Sequence, residues 1–485
     1  MDNHEHQPIP LDPVDAHANQ LPKIATAHVI WASLVVLAIV IATYWPVLQC
    51  HALSFDDNDY FTENALVTHP SAHSAGRFLT EVLKPSTVRG YYQPLAMISL
   101  MLDYALGARP ADLYAIQRTS LALHAANSVL VALLMLALFR SVPAAIIAGL
   151  LFGLHPAAVE SVPWLAQRKS LLSTFFALAS LLAYCRYART GGIRRYAMVT
   201  LLYVLSLMSK PTSTPLPVLL LLLDAWPLNR LHRRTVVEKI PLFAIAGVFS
   251  VITVISQSQA GGAQMPHQYG PLRIPMILAH NISFYFRHLF WPGDVPNYYL
   301  FPTPFTPSNP AIISGFLVTV ALVAALVLSL RWTRAWVCGS LFLFVALSPT
   351  LGVIGFTDTI ASNRFLYLPM VGALLPFAYY ASRGWTLPRS RTTARILIVV
   401  ATVFACGWGA VATRRGLTFW SDSVTHFAHL VQVAPDAPKV RFSYGEALDR
   451  TGHLGRAEVE YRAAVALRPG YSRAHNNLAV LLAAH

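Results

Sequence analysis

"VIWASLVVLAIVIATYWPVL", Val29 to Leu48, is a run of 20 residues without a charged side chain. As a helix it rises about 30 Å, the thickness of the hydrocarbon core of a bilayer. The residues ahead of it, 1–25, are polar. The run is long enough to span and stay, so it predicts a retained first span rather than a cleaved leader. Ten further apolar runs follow, at 115–139, 142–159, 170–187, 196–211, 213–228, 240–256, 311–330, 335–355, 365–381 and 396–413. Together they predict an all-α polytopic membrane protein with about eleven transmembrane helices. Composition agrees, because 55% of the 485 residues are hydrophobic and only 12% are charged. A soluble domain carries about twice that charge. The net charge of +14 does not point to nucleic acid, since the bases fall in short clusters between apolar runs. Cys50, Cys185, Cys338 and Cys406 are isolated and suggest neither a zinc site nor a disulfide framework.

The stretch 274–291, "IPMILAHNISFYFRHLFW", decides the topology. It carries His280, Asn281, Arg287 and His288, a polar density that is costly at mid-bilayer. If it does not span, four basic clusters share one side: Arg186/Arg189/Arg194/Arg195, Arg230/Arg233/Arg234/Lys239, Arg331/Arg334 and Arg383/Arg389/Arg391/Arg395. Cytoplasmic loops are enriched in Lys and Arg. The parity therefore predicts eleven spans, with 274–291 re-entrant or interfacial. Residues 1–28 form a polar cytoplasmic segment and 29–413 a multi-span domain. The long first loop, about 49–114, lies outside, as does the C-terminal segment 414–485. Within that loop Leu95, Ile98, Leu102 and Leu106 recur near a helical period, with Asp103 among them. That pattern suits a helix lying in the interface.

After about Arg414 the composition turns polar. Gly445, Leu448, Gly452, Ala457, Tyr461, Ala464 and Pro469 fit a tetratricopeptide pattern. Phe427 precedes Tyr461, and Pro435 precedes Pro469, by one 34-residue repeat. One repeat and two halves are too few for an independent solenoid. The segment is therefore expected to lean on the membrane domain or to continue beyond His485. A repeat of this kind offers a groove for a peptide or protein partner.

Polar groups cluster where an apolar chain would avoid them, at span ends that the topology places outside. "SFDDNDYFTEN", Ser54 to Asn64, crowds Asp56, Asp57, Asp59 and Glu63 into one turn. "HPAAVESVPWLAQRKS" holds His155, Glu160, Trp164, Arg168 and Lys169; "MSKPTSTP" holds Lys210. "HQYGPLRIPMILAHNISFYFRH" holds His267, Arg273, His280 and Arg287; "ASNRFLYLP" holds Arg364 and Tyr367. A lone cation at a span end commonly snorkels to lipid head groups. Several on the outer side, beside an acidic motif, suggest instead a phosphate held next to a carboxylate. Alternate carboxylates also suit a hard divalent ion, with Asp57 and Asp59 as its ligands. The loop lacks the glycine and spacing of an EF-hand.

These motifs, in order, resemble the GT-C membrane glycosyltransferases, and among them the transmembrane and tetratricopeptide-repeat O-mannosyltransferases and their bacterial relatives. The matching pieces are "FDDNDYFTEN", "YYQPL…LDYALG", "LHAANSVLVALL", "LLFGLHPAAVESVPWLAQRKSLLS", "LSLMSKPT", "NRFLYLP" and the trailing repeat. The family commonly has Arg at Gln93, Glu at Pro211, Glu at Asn363 and a small–acidic pair at Lys169-Ser170. Those departures concern donor contacts and leave the sugar, mannose in the family, open.

The resemblance implies transfer of a sugar from a polyprenyl-phosphate donor to a hydroxyl on an exported protein. It implies Asp56 as the base, with Asp57 supporting it; a second carboxylate nearby is expected to strengthen the first as a proton acceptor. Arg168, Lys169, Lys210 and Arg364 would hold the donor phosphate. His155, Glu160, Tyr91, Gln93 and Tyr367 would line the substrate site. A single phosphate can be held by Arg and Lys, so no metal cofactor is expected. The setting would be a bacterial inner membrane with the site on the periplasmic face. Two alternatives are a non-catalytic scaffold that recruits partners through its repeat, and an oligosaccharide ligase or polymerase acting on a glycan or lipid.

Overall fold

The computed structural model describes residues 24–83, 88, 90, 92–259, 270–291, 298–353, 359–386 and 392–483. Helix α1 (Thr26–Tyr44) is followed in the first long loop by α2 (Ala65–Thr68), α3 (Ala72–Thr80) and α4 (Pro94–Ala105). Next come α5 (Tyr114–Phe139), α6 (Val142–Gly153), α7 (Arg168–Thr190), α8 (Ile193–Ser209) and α9 (Leu216–Ala225). Then follow α10 (Arg233–Val237), α11 (Ile240–Gln259), α12 (Arg273–Phe290), α13 (Pro310–Ser329), α14 (Ala335–Leu347), α15 (Met370–Thr386) and α16 (Thr392–Thr418). The tail is α17 (Ser423–Val433), α18 (Pro438–Arg450), α19 (Leu454–Leu467) and α20 (Ser472–Ala483). No β-strand occurs among the described residues. Every one of the eleven apolar runs contains a helix. Six stretches are long and apolar enough to cross a membrane by length and composition: Thr26–Gln49, Tyr114–Phe139, Leu165–Thr190, Arg233–Gln259, Pro310–Ser329 and Thr392–Thr418. The protein is an all-α integral membrane protein.

Close packing of α1, α5 and α6 depends on small residues. A Cβ at Gly153 would lie 2.4 Å from Val40 and 2.7 Å from the Ser128 hydroxyl, and one at Gly149 would lie 2.9 Å from Ala132. Within lipid, where apolar burial alone gives little drive, such close approaches hold helices together by dispersion. Helices α6 and α9 have 12 and 10 residues, so they rise only about 18 and 15 Å. Both are interrupted by the polar clusters singled out in the sequence: α6 ends before His155-Pro156, and α9 begins after "SKPTSTP". Polar backbone at that depth is tolerated where protein buries it.

Residues 274–291 are helical, as α12, and α12 is not among the six long apolar stretches. Two of its polar residues, Asn281 and His288, turn inward, whereas Arg287 is exposed. Asn281 donates to the carbonyls of Leu351 and Ile360, at 3.1 and 2.8 Å, and His288 is buried beside Phe284. Leu102 of α4 and Leu106 just after it are exposed, whereas Met97, Leu100, Met101 and Asp103 of α4 are buried. The apolar outer face is what an interfacial helix presents.

Lys239, read from sequence as part of a basic loop cluster, is fully buried. Its ammonium lies 2.9 Å from Asp224 and 2.7 Å from Glu238, and Tyr184 donates to Asp224. These contacts tie the ends of α7 and α9 to the start of α11. A charge this deep is stable only when paired and hydrogen-bonded.

The tail helices pack in chain order around a separate core that includes Phe427, Leu448, Ala457, Tyr461 and Ala464. Gly445 lets the Tyr461 ring seat against α18, since a Cβ there would be 2.7 Å from it. Phe55 and Tyr298 of the membrane domain complete this core, so the tail does lean on that domain.

Candidate active site

The acidic stretch forms a tight turn. Asn58–Thr62 is a single wide helical turn, closed by Asn64, whose amide donates to the Asp59 carbonyl at 2.8 Å. Asp57 is buried, and its two oxygens accept the N–H groups of Leu53 and Ala166, both at 2.9 Å. Burial pushes its carboxyl up to about 7, against the pull of those two donors. Asp57 therefore fastens the turn to the segment preceding α7. Asp56 is half-buried, and its carboxylate accepts no hydrogen bond from the described residues. The two acidic neighbours differ: one is a structural anchor, the other is left available.

Three of the predicted cations lie near one another, and one of them, Lys169, meets this turn. Lys169 donates to the Tyr60 hydroxyl, lies 4.3 Å from its ring centre, and is within electrostatic reach of Asp56, Asp57 and Arg364. Gln93 donates to the same hydroxyl at 2.7 Å, while its side-chain carbonyl oxygen is buried without a partner among the described residues. Lys210 donates to the Ser170 hydroxyl at 2.8 Å. Arg364 pairs with Glu160, and its backbone N–H donates to the second Glu160 oxygen at 2.9 Å. Ser362 donates to Glu160 as well, at 2.6 Å. The Arg364 guanidinium lies 5.1 Å from the Trp164 ring centre, and the ring of Phe55, the neighbour of Asp56, lies 5.6 Å from that ring. Ser170, Lys210, Thr212, Thr350, Arg364 and Tyr367 line a cavity that is partly open to the outside.

Tyr367 reaches from this cavity into the core. Its hydroxyl lies 2.7 Å from His124 Nδ1, and His124 Nε2 lies 3.0 Å from the Gly153 carbonyl. A carbonyl only accepts, so Nε2 carries the hydrogen and Nδ1 accepts from Tyr367. Asn127 donates to Tyr367 at 3.3 Å and to the Leu171 carbonyl at 3.1 Å. His124 and Asn127 have no place among the site residues that the sequence predicts. Their signal was two polar residues three apart inside the apolar run "LHAANSVLVALL".

Arg168 is placed elsewhere. It is fully buried and donates to Asp103 at 2.7 Å, Ser99 at 2.7 Å, the Ile116 carbonyl at 2.8 Å and Ser120 at 3.3 Å. Successive residues on a helix point about 100° apart, so Lys169 faces the acidic turn while Arg168 faces α4 and α5. His155 is also apart from the cavity: Nδ1 accepts from Ala157 and Nε2 donates to the Leu289 carbonyl at 2.9 Å, joining the loop after α6 to the end of α12. Tyr91 and His267 lie outside the described residues. Among the described residues no three His, Cys, Asp or Glu side chains group as metal ligands.

Fold and site together define an integral membrane protein with a carboxylate and several cations gathered at its helix ends. No family model matches the chain. It is similar to Protein O-mannosyl-transferase Tmtc1 of Drosophila melanogaster, 28% identical over 150 residues, which are 31% of this chain and 17% of that protein. It is also 30% identical to human Protein O-mannosyl-transferase TMTC3 over 31% of the chain and 16% of that relative. With Protein O-mannosyl-transferase tmtc2 of Xenopus laevis it shares 32% identity over 28% of the chain and 14% of the relative. The matched stretch is thus less than a fifth of the length of each of these three relatives.

Proposed function

We propose that this chain is a membrane glycosyltransferase that moves a sugar from a polyprenyl-phosphate donor to a hydroxyl of an exported protein. The observation that carries this reading is the Asp56 carboxylate, which accepts no hydrogen bond from the described residues and lies within electrostatic reach of Lys169, itself near Lys210 and Arg364. The names of the three relatives support the reaction type, with mannose as the first sugar to test. Asp56 takes the proton from the acceptor hydroxyl as that oxygen bonds to the anomeric carbon. The bond from that carbon to the phosphate oxygen breaks, and the phosphate leaves with the electron pair. Lys210 and Arg364 stabilise the charge growing there. One displacement inverts the anomeric configuration, and no step asks for a metal. We read α17–α20 as tetratricopeptide-type hairpins outside the membrane, on the same face as Asp56; in a bacterium this is the periplasmic face of the inner membrane.

The test is transfer by the purified protein from a polyprenyl-phosphate-linked sugar to a Ser/Thr-containing peptide, with product anomer read by NMR. Transfer only to a glycan or lipid acceptor would favour a ligase; none at all, with partners retained, would favour a scaffold. Lys210→Met should weaken donor use by about 1–3 kcal/mol, read as a donor KM raised about 5- to 150-fold. An unchanged donor KM would remove Lys210 from the phosphate site. For topology, Trp332→Cys and Ser308→Cys would be placed singly in a cysteine-free background and probed with an impermeant thiol reagent. Labelling at 308 but not 332 in intact cells is expected; the reverse would overturn the assigned orientation.

A further inference from the structure

The tail does more than rest on the membrane domain. Helix α17 is capped by Asp422, whose side chain accepts the Thr425 N–H at 2.9 Å. Beside that cap, the Ser423 hydroxyl accepts the N–H of Ser54 at 2.9 Å and donates to the Ala52 carbonyl at 3.3 Å. The Ser421 carbonyl accepts from the His51 N–H at 2.8 Å. The backbone of residues 51–54 is therefore bonded to the start of α17. The Ser54 side chain adds no tie, since its hydroxyl is buried without a partner among the described residues. Phe55 continues the seam, with its ring 6.3 Å from Phe427 and 5.4 Å from the Lys439 ammonium.

Asp56 thus lies between two fastenings. On one side Asp57 binds the chain to Ala166 of the membrane domain; on the other, Ser423 binds it to the tail. The Asp56 carboxylate accepts no hydrogen bond from the described residues, so its direction is set by the backbone that carries it. We propose that α17 is a positioning element of the transfer site, with Ser423 as the residue that sets the angle at which Asp56 is presented. This rests on Asp56 being the base. Small misplacements of a reacting group carry large rate costs, because proximity and alignment supply much of the barrier reduction.

The test compares full-length Ser423→Ala and Ser423→Thr. In the alanine protein kcat for transfer should fall about ten- to a hundredfold, with donor KM and Tm in detergent unchanged. Threonine keeps the hydroxyl and should restore most of the rate. Should the alanine protein not accumulate, Ser423→Cys preserves volume with a much weaker hydrogen-bonding group, and the same kcat loss is expected. Full activity in the alanine or cysteine protein overturns the proposal. So does a loss that threonine does not rescue, a fall in Tm with a rise in donor KM, or failure of both variants to fold; each would make Ser423 merely structural. Asp56→Asn separates the two readings. If it transfers normally, the base assignment fails and takes this inference with it. If it is inactive while Ser423→Ala is fully active, only the positioning role fails.

Discussion

Asp56→Asn should bind the polyprenyl-phosphate donor normally and transfer its sugar about two to four powers of ten more slowly. Asparagine keeps the shape of the side chain but cannot take a proton from the acceptor. The structure sharpens this expectation by separating Asp56 from its neighbour. Asp57 spends both oxygens on the N–H groups of Leu53 and Ala166, so its change to Asn replaces one acceptor oxygen with a donor that faces another donor. Asp57→Asn should therefore lower Tm as well as rate, whereas Asp56→Asn should lower rate alone. The measurement is single-turnover transfer with donor binding and Tm followed in the same preparation. Normal transfer by Asp56→Asn, with Asp57→Asn inactive yet stably folded, would reverse the roles. If both transfer normally, neither carboxylate is the base and the turn is structural only.

Arg168→Met should destabilise the fold by about 3–5 kcal/mol, because it leaves Asp103 buried with its charge uncompensated. In the pair, side-chain exposure is 0% for Arg168 and 5% for Asp103, so water cannot stand in for the lost guanidinium. Arg168→Lys should not substitute: one ammonium cannot span the four acceptors that the planar fork reaches. The informative protein is Arg168→Met/Asp103→Leu. Replacing a buried ion pair by apolar residues of similar volume is commonly neutral, so the double variant should regain most of the lost Tm and its normal donor KM. A double variant that folds well yet has lost donor use would return Arg168 to the phosphate site.

The fold class was legible in the sequence because the transfer of a chain segment into lipid depends mainly on its own side chains. Val29–Leu48 reads as a span whatever surrounds it, and each of the other ten runs contains a helix. The candidate site was partly legible for a related reason. Polar groups are costly in an apolar chain, so Asp56, Glu160, Lys210 and Arg364 stood out at the ends of apolar runs.

Partner choice was not legible, since it depends on distance in space rather than along the chain. Arg168 and Lys169 are adjacent, yet the helix sends one to Asp103 and the other to Tyr60. Glu160 meets Arg364 across 204 positions, His124 meets Tyr367 across 243, and Ser54 meets Ser423 across 369. Hydropathy and spacing carry no information about such encounters. Only the packing of α7 on α5, and of α17 on the acidic turn, decides which charged groups saturate one another in the core and leaves the Asp56 carboxylate without a hydrogen-bond partner among the described residues.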